Sequence, residues 1–201
     1  MSASITRGQL LSRSAKGGAA LVVAGSALGR FAGVAAAAPL PTGDLAYVRL
    51  LVGVELLASD FYTQAVAASN ATPAVTWYLK RAFLNEQDHY TSVSGILTGA
   101  GQTPAVAGDI DFSYPAGSFD TQGAILKLAK QLEDLSVGAY LGALAALQTP
   151  AIMGGPARIA ACEAQHSAYF TEALGGKTFK SSFPNALTID QVSDALDAYT
   201  A

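Results

Sequence analysis

The sequence predicts an all-α protein, a four-helix bundle built from two similar helical hairpins, with a short additional helix near the C-terminus. Three observations lead to this prediction. Apolar residues recur at helical spacing in four long segments, and no segment alternates convincingly like a β-strand. Residues of the first two segments recur 77 or 78 positions later in the last two. A turn-rich stretch, 99–119, separates the two pairs and is long enough to cross from one end of a bundle to the other.

The first hairpin is delimited by its capping and breaking residues. Its first helix is predicted over 44–69. The second helix opens at Thr72-Pro73, where threonine is the N-cap and proline takes the first helical position, and it closes at Gly99.

The second hairpin has less regular boundaries. Its first helix is predicted over 120–147. Its second is predicted over 149–176, with the initial turns disturbed by Gly-Gly-Pro at 154–156. A last short helix starts at Thr188, which forms a capping box with Gln191.

Composition and charge indicate a folded domain with two different segments. Of 201 residues, 51% are hydrophobic and 13% charged, which excludes a disordered chain, and a pI near 5.2 argues against a nucleic-acid partner. Residues 1–43 carry four basic residues and no acid, around the apolar run 17–29. We therefore predict an export signal over 1–38, cleaved near Ala36–Ala38, and a single domain over 39–201.

The alternative for this first segment is a membrane anchor. Its apolar run is interrupted by Arg30 and is shorter than the ~20 residues that a membrane-spanning helix needs. Cleavage is the preferred interpretation, and the mature protein is expected in the periplasm, the cell envelope or the extracellular space.

Both histidines of the chain follow a glutamate by three residues. The pairs are Glu86 with His89 and Glu163 with His166, and they stand 77 residues apart in the repeat. Residues at i and i+3 share a helix face, so each pair presents a carboxylate and an imidazole together. The chain has five glutamates in all, which makes chance a poor explanation for two such pairs.

Two further glutamates are expected at the same depth of the bundle. Glu55 and Glu86 are equidistant from the first hairpin turn, and Glu133 and Glu163 from the second. Four buried carboxylates are costly unless their charge is balanced, and two divalent cations would balance it. Oxygen donors with some imidazole suit iron or manganese. The alternative, solvated surface charges paired with lysines, is disfavoured because too few cations lie within helical reach.

Taken together, these residues resemble the ligand set of the ferritin-like di-iron carboxylate superfamily, and the export signal with the short C-terminal helix resembles its exported, desiccation-associated branch. The resemblance implies a ferritin-like bundle with two iron ions, manganese being the alternative. Glu55 and Glu133 would be terminal ligands and Glu86 and Glu163 bridging ones, with one histidine for each ion. The implied metal ligands are Glu55, Glu86, His89, Glu133, Glu163 and His166.

Three functions are compatible with such a site. The first is oxygen- or peroxide-dependent redox chemistry, such as ferroxidase activity, peroxide scavenging or manganese-catalase activity, with a separate electron donor. The second is iron storage, and the third is a stress-protective envelope protein whose metals only pin the bundle. A homo-oligomer is compatible with each.

Two tyrosines and the single cysteine are secondary candidates. Tyr62 and Tyr140 lie two turns from Glu55 and Glu133 on the same helix faces, so they could hydrogen-bond a ligand or pass electrons; core aromatics with satisfied hydroxyls are the preferred interpretation. Cys162 is expected to point away from Glu163, into the core.

Overall fold

The computed structural model describes residues 39–178 and 181–200. The first hairpin consists of α1 (Thr42–Ala68) and α2 (Pro73–Gly99), the second of α3 (Gln122–Ala146) and α4 (Gly154–Ala173), and α5 (Ile189–Asp197) follows. No β-strand occurs in these ranges, where an isolated antiparallel bridge joins Phe112 to Thr200. The prediction of an all-α four-helix bundle with a short C-terminal helix is confirmed. The predicted export signal lies outside the described residues.

The two hairpins pack together mainly through their first helices. α1 lies along α2 and α3 along α4, while α1 and α3 form the principal contact between hairpins and α2 and α4 meet more sparsely. α5 packs against α1 and α3. Consequently α1 and α3 bury most of their circumference, whereas α2 and α4 keep one side in solvent. In the part of the chain that the structure describes, no helix combines the length and the apolar character needed to cross a membrane.

The connection between the hairpins, 100–121, is tied to α1 and to the C-terminal segment. The Tyr114 hydroxyl lies 2.9 Å from Asp60 Oδ2 on α1. The Asn70 amide donates to the carbonyl of Phe119 (2.8 Å), and the backbone N–H of Ser113 donates to the carbonyl of Tyr199 (2.8 Å). These bonds hold the long crossover that the repeat predicts against the bundle.

Local chemistry changes the predicted start of the fourth helix and the predicted cap of the second. The segment predicted as the beginning of the fourth helix forms a separate 3₁₀ turn, Pro150–Ile152, and α4 begins at Gly154. Gly-Gly-Pro therefore opens the helix, where a missing proline N–H costs nothing, instead of disturbing its interior. Thr72 occupies the N-cap position of α2, but its side chain accepts no capping bond. The capping box of Thr188 and Gln191 is confirmed.

Two glycines on α3 make room for the chain that leads into α5. The backbone N–H of Leu187 donates to the carbonyl of Gly138 (2.9 Å), and a Cβ at Gly142 would lie 1.8 Å from the Leu187 carbonyl oxygen. Only a residue without a side chain fits there. The C-terminal segment is thereby seated directly on the backbone of α3.

Candidate metal centre

The structure brings the six residues predicted as ligands into one cluster. Each of the four long helices contributes near its midpoint: a glutamate from α1, a glutamate from α3, and a glutamate with a histidine from both α2 and α4. All four glutamates are at most 1% exposed. The carboxylate–histidine cluster, as we call it below, comprises Glu55, Glu86, His89, Glu133, Glu163 and His166.

The cluster consists of two overlapping groups of donor atoms. Glu55 and His89 belong to one group and Glu133 and His166 to the other, while Glu86 and Glu163 belong to both. Within each group the four donor atoms lie within 4.8 Å of one another. Glu86 and Glu163 therefore lie between the two groups of donor atoms, which is the position that ligands shared by two ions would occupy.

Each histidine directs its Nδ1 atom toward carboxylates of both hairpins. Nδ1 of His89 lies 2.9 Å from Glu163 Oε1 and 3.4 Å from Glu86 Oε2. Nδ1 of His166 lies 3.1 Å from Glu163 Oε2 and 3.2 Å from Glu86 Oε1. The i,i+3 spacing supplies one of each pair of contacts, and the packing of α2 against α4 supplies the other.

The glutamates also keep oxygens that their surroundings do not satisfy. One oxygen of each makes no hydrogen bond of good geometry: Glu55 Oε2, Glu86 Oε1, Glu133 Oε2 and Glu163 Oε1. Two of them, Glu86 Oε1 and Glu163 Oε1, are the oxygens that lie 3.2 Å and 2.9 Å from a histidine Nδ1, but those contacts lack the angles of a hydrogen bond. Buried polar atoms are normally paired, so four such atoms around one point are unusual. Hard oxygen donors beside imidazole nitrogens are a set that binds iron or manganese well. The residues present therefore fit a pair of such ions, and this buried acidic cluster could bind metal.

The pKa shifts in the cluster show that two of its glutamates are costly to ionise without metal. Burial, together with the charge of Glu163, raises the pKa of Glu133 to about 8. Burial and the charges of Glu163 and Glu86 likewise raise the pKa of Glu55 well above its usual range. Burial would lower the pKa of both histidines, but their contacts with Cys162 and with the glutamates outweigh it and raise the pKa above the ordinary value. Without metal, the cluster keeps protons as its counter-charge.

The tyrosines predicted near the cluster hydrogen-bond across the hairpin interface. The Tyr62 hydroxyl donates to Glu133 Oε1 and the Tyr140 hydroxyl donates to Glu55 Oε1. Both tyrosines are buried at 1% exposure or less. Their hydroxyls are thus satisfied, as predicted for core aromatics, and the partner of each is a candidate ligand on the opposite hairpin.

The outer side of the histidines involves two residues whose role the sequence did not reveal. Nδ2 of Asn85 lies 3.0 Å from Nε2 of His166, and Sγ of Cys162 lies 3.7 Å from the same nitrogen. Cys162 is only partly buried, so the expectation that it points into the core is wrong. The i,i+4 spacing on α4 brings it to His166, and its interactions with His166 and His89 lower the pKa of its thiol to about 7. The repeat offered a signal, since Asn85 and Cys162 each precede the glutamate of an ExxH pair.

Comparison with known proteins identifies the family. A family model described as a ferritin-like domain matches residues 43–176, which include the four long helices except the first residue of α1, and the whole cluster. The chain belongs to the ferritin-like family. This confirms the family resemblance seen in the sequence, while the exported branch stays a prediction.

Solved structures agree with the ferritin-like fold. The chain is similar to a conserved hypothetical protein from Mycobacterium tuberculosis, with a TM-score of 0.59, 17% identity, and coverage of 71% of this chain and 98% of that one. It is also similar to a hypothetical protein from Methanococcus jannaschii, with a TM-score of 0.54, 14% identity, and coverage of 79% and 93%. At these identities the likeness concerns the fold alone. No curated protein matches the sequence.

Proposed function

We propose that this ferritin-like protein binds two iron or two manganese ions in the carboxylate–histidine cluster and uses them for redox chemistry with oxygen or peroxide. The observation that carries the proposal is the convergence of four buried carboxylates, each with an oxygen that makes no hydrogen bond. Two divalent cations would balance the charge of four ionised carboxylates. Glu86 and Glu163 would be shared between the ions because both donor groups contain them.

The chain's own residues determine what such a centre could do. Two Fe(II) ions would supply two electrons that reduce oxygen, with two protons, to hydrogen peroxide, and manganese would support disproportionation of peroxide. Tyr62 and Tyr140 hold the outer carboxylates, those of Glu133 and Glu55 that belong to one donor group each, in place by hydrogen bonds. Because the glutamates are almost completely buried, a small substrate such as oxygen or peroxide is favoured over a larger one. A single cysteine, Cys162, cannot form a four-cysteine iron centre, so a peroxidase reaction would draw its electrons from a separate donor.

Loading and turnover can be measured together. The chelator-stripped protein receives two equivalents of Fe(II) without oxygen and is then mixed with air-saturated buffer, while oxygen uptake and Fe(III) absorbance are recorded. A manganese-loaded sample is tested for peroxide consumption. We expect one of the two reactions to proceed faster than with free metal, and faster than in a Glu86→Gln variant. Glu172→Gln is the matched control, since Glu172 is exposed on α4.

A second candidate is a protective protein in which the ions only pin the bundle. It is favoured by the location of the cluster, which joins all four long helices near their midpoints. Bound metal that raises the melting temperature without either reaction would support this candidate. Iron storage would require a shell of many copies, and gel filtration tests it.

We also propose that the protein is exported, with 1–38 as a signal removed near Ala36–Ala38. The support is the sequence pattern of basic, apolar and small residues. Edman sequencing of the protein recovered from the envelope and medium of its host should give a start close to Pro39. A start at Met1 would contradict the proposal.

A further inference from the structure

The two halves of the cluster are surrounded by different residues where α2 faces α4. Positions 77 apart are equivalent in the two hairpins, so Tyr78 corresponds to Gly155 and Ser92 to Tyr169. In the structure Tyr78 faces Tyr169, and at the equivalent place Ser92 faces Gly155. The rings of Tyr78 and Tyr169 stack with centroids 3.4 Å apart and an interplanar angle of 4°. At the equivalent place, a Cβ on Gly155 would lie 3.3 Å from Ser92 Oγ.

The stacked tyrosines belong to the half of the cluster that contains His166. The ring of Tyr78 meets the ring of His166 edge to face, with centroids 6.2 Å apart. His166 is 3% exposed and His89 is 9% exposed. Serine and glycine, at the positions equivalent to the two tyrosines, give His89 no such aromatic cover. The His166 ring is therefore confined more tightly than the His89 ring.

The two histidines also differ in the polar groups on the side of the ring that faces away from the carboxylates. The amide of Asn85 lies 3.0 Å from His166 Nε2. The position equivalent to Asn85 is Cys162, whose thiol lies 3.7 Å from the same His166 nitrogen and also interacts with His89, so no amide faces His89 from the equivalent position. A thiol is a weak hydrogen-bonding group, and an amide is a strong one. An imidazole that binds metal through Nδ1 carries its proton on Nε2, so a 180° turn of the Asn85 amide would present the oxygen that this proton needs.

We propose that the two metal positions are unequal: the position at His166 binds its ion first and releases it last, whereas the position at His89 exchanges its ion. The reason is preorganisation, because a ring already fixed by Asn85 and Tyr78 loses less conformational freedom when its nitrogen binds metal. This inference rests on the proposed function. It assigns Asn85 as a positioning residue, since Asn85 acts on the metal through His166.

Calorimetric titration of the chelator-stripped full chain with Mn(II) tests the inference, with electron paramagnetic resonance of free Mn(II) as a second readout. We expect two separate binding steps in the wild type. His89→Ala should keep the tight step alone, and His166→Ala the weak step alone. Asn85→Ala should weaken the tight step by about 10- to 100-fold, the usual effect of losing the outer partner of a ligand histidine, and leave the weak step unchanged.

Two further variants separate positioning from general damage to the fold. Asn85→Asp keeps an oxygen for the His166 Nε2 proton and should restore the tight step. Gln87→Ala, at an exposed position of the same helix, is the matched control and should change neither step. Equal affinities in the wild type, or equal weakening of both steps by Asn85→Ala, would overturn the inference while the metal site stood. Absence of Mn(II) and Fe(II) binding in the wild type would overturn the proposed function and this inference with it.

Discussion

The hydroxyl of Tyr62, on the first helix of one hairpin, donates a hydrogen bond to the carboxylate of Glu133, on the first helix of the other. The bond spans 71 residues of sequence and is buried. Its counterpart in the repeat runs the opposite way, from Tyr140 to Glu55. The two hairpins are thus joined through the outer carboxylates of the cluster, so the residues that hold the fold together also orient the candidate ligands.

Removing one of these hydroxyls should destabilise the bundle. Tyr62→Phe leaves Glu133 without its hydrogen-bond donor in a buried place, and we expect a loss of about 1–3 kcal/mol in the free energy of unfolding. Urea denaturation monitored by circular dichroism measures it. Tyr47→Phe, on the same helix and only partly buried, is the control and should change stability by less than about 0.5 kcal/mol. Equal effects of the two substitutions would refute the structural role of the hydroxyl.

Shared and outer carboxylates should differ in how much metal their loss removes. Glu163→Gln alters a residue that belongs to both donor groups, so both ions should be weakened. Glu55→Gln alters one group, and about one ion per chain should remain after gel filtration. Metal analysis of the two variants beside Glu172→Gln measures the difference. The same retained stoichiometry for the two cluster variants would contradict the assignment of Glu163 as a shared ligand.

The metal-free protein should lose stability as pH rises from about 5 to 8. The pKa of Glu133 is raised from 4.5 to about 8, so in this window the folded state holds a proton that the unfolded state has released. Stability is therefore greatest at the acidic end and declines toward pH 8. The raised pKa values of the histidines act in the same direction above their ordinary value of 6.5.

Melting temperatures measured across this pH range in the presence of a chelator check the dependence. Glu133→Gln should show a shallower decline because it removes one of the titrating groups. With Mn(II) the trend should reverse, since metal binding requires deprotonated ligands. A metal-free melting temperature that rises between pH 5 and 8 would show that the folded cluster does not retain these protons.

Two glycine substitutions should have opposite effects, because a Cβ at Gly142 would meet the C-terminal segment and a Cβ at Gly95 would meet nothing. Gly142→Ala puts a Cβ 1.8 Å from the Leu187 carbonyl oxygen, so the segment must move, and we expect a loss of about 1–3 kcal/mol. Gly95→Ala adds a methyl group at an exposed place on α2 where nothing lies within 4 Å. It should stabilise by about 0.5–1 kcal/mol through helix propensity. Urea midpoints measure both. A neutral Gly142→Ala would mean that the segment is not seated on α3.

Much of the fold and of the cluster could be predicted because both depend on local spacing and on a repeat. The i,i+3 distance from Glu86 to His89 fixes a shared face, and distance from the hairpin turn fixes depth. The 3₁₀ turn at 150–152 was missed because a proline at a helix start and one inside a helix carry the same sequence signal. The role of Asn85 was missed because it depends on how α2 meets α4, which spacing within one helix does not encode. The contact of Cys162 with His166 follows from their i,i+4 spacing, which the sequence did offer.

The most direct test of the proposed metal centre is the metal content of the protein purified from its own host without chelators, measured by inductively coupled plasma mass spectrometry. We expect about two iron or manganese ions per chain, with a marked loss of metal in Glu163→Gln and no loss in Glu172→Gln. Less than about a tenth of an ion per chain, even after anaerobic loading with Fe(II) or Mn(II), would contradict the proposed metal centre, because metal ions would then not balance the charge of the four buried carboxylates.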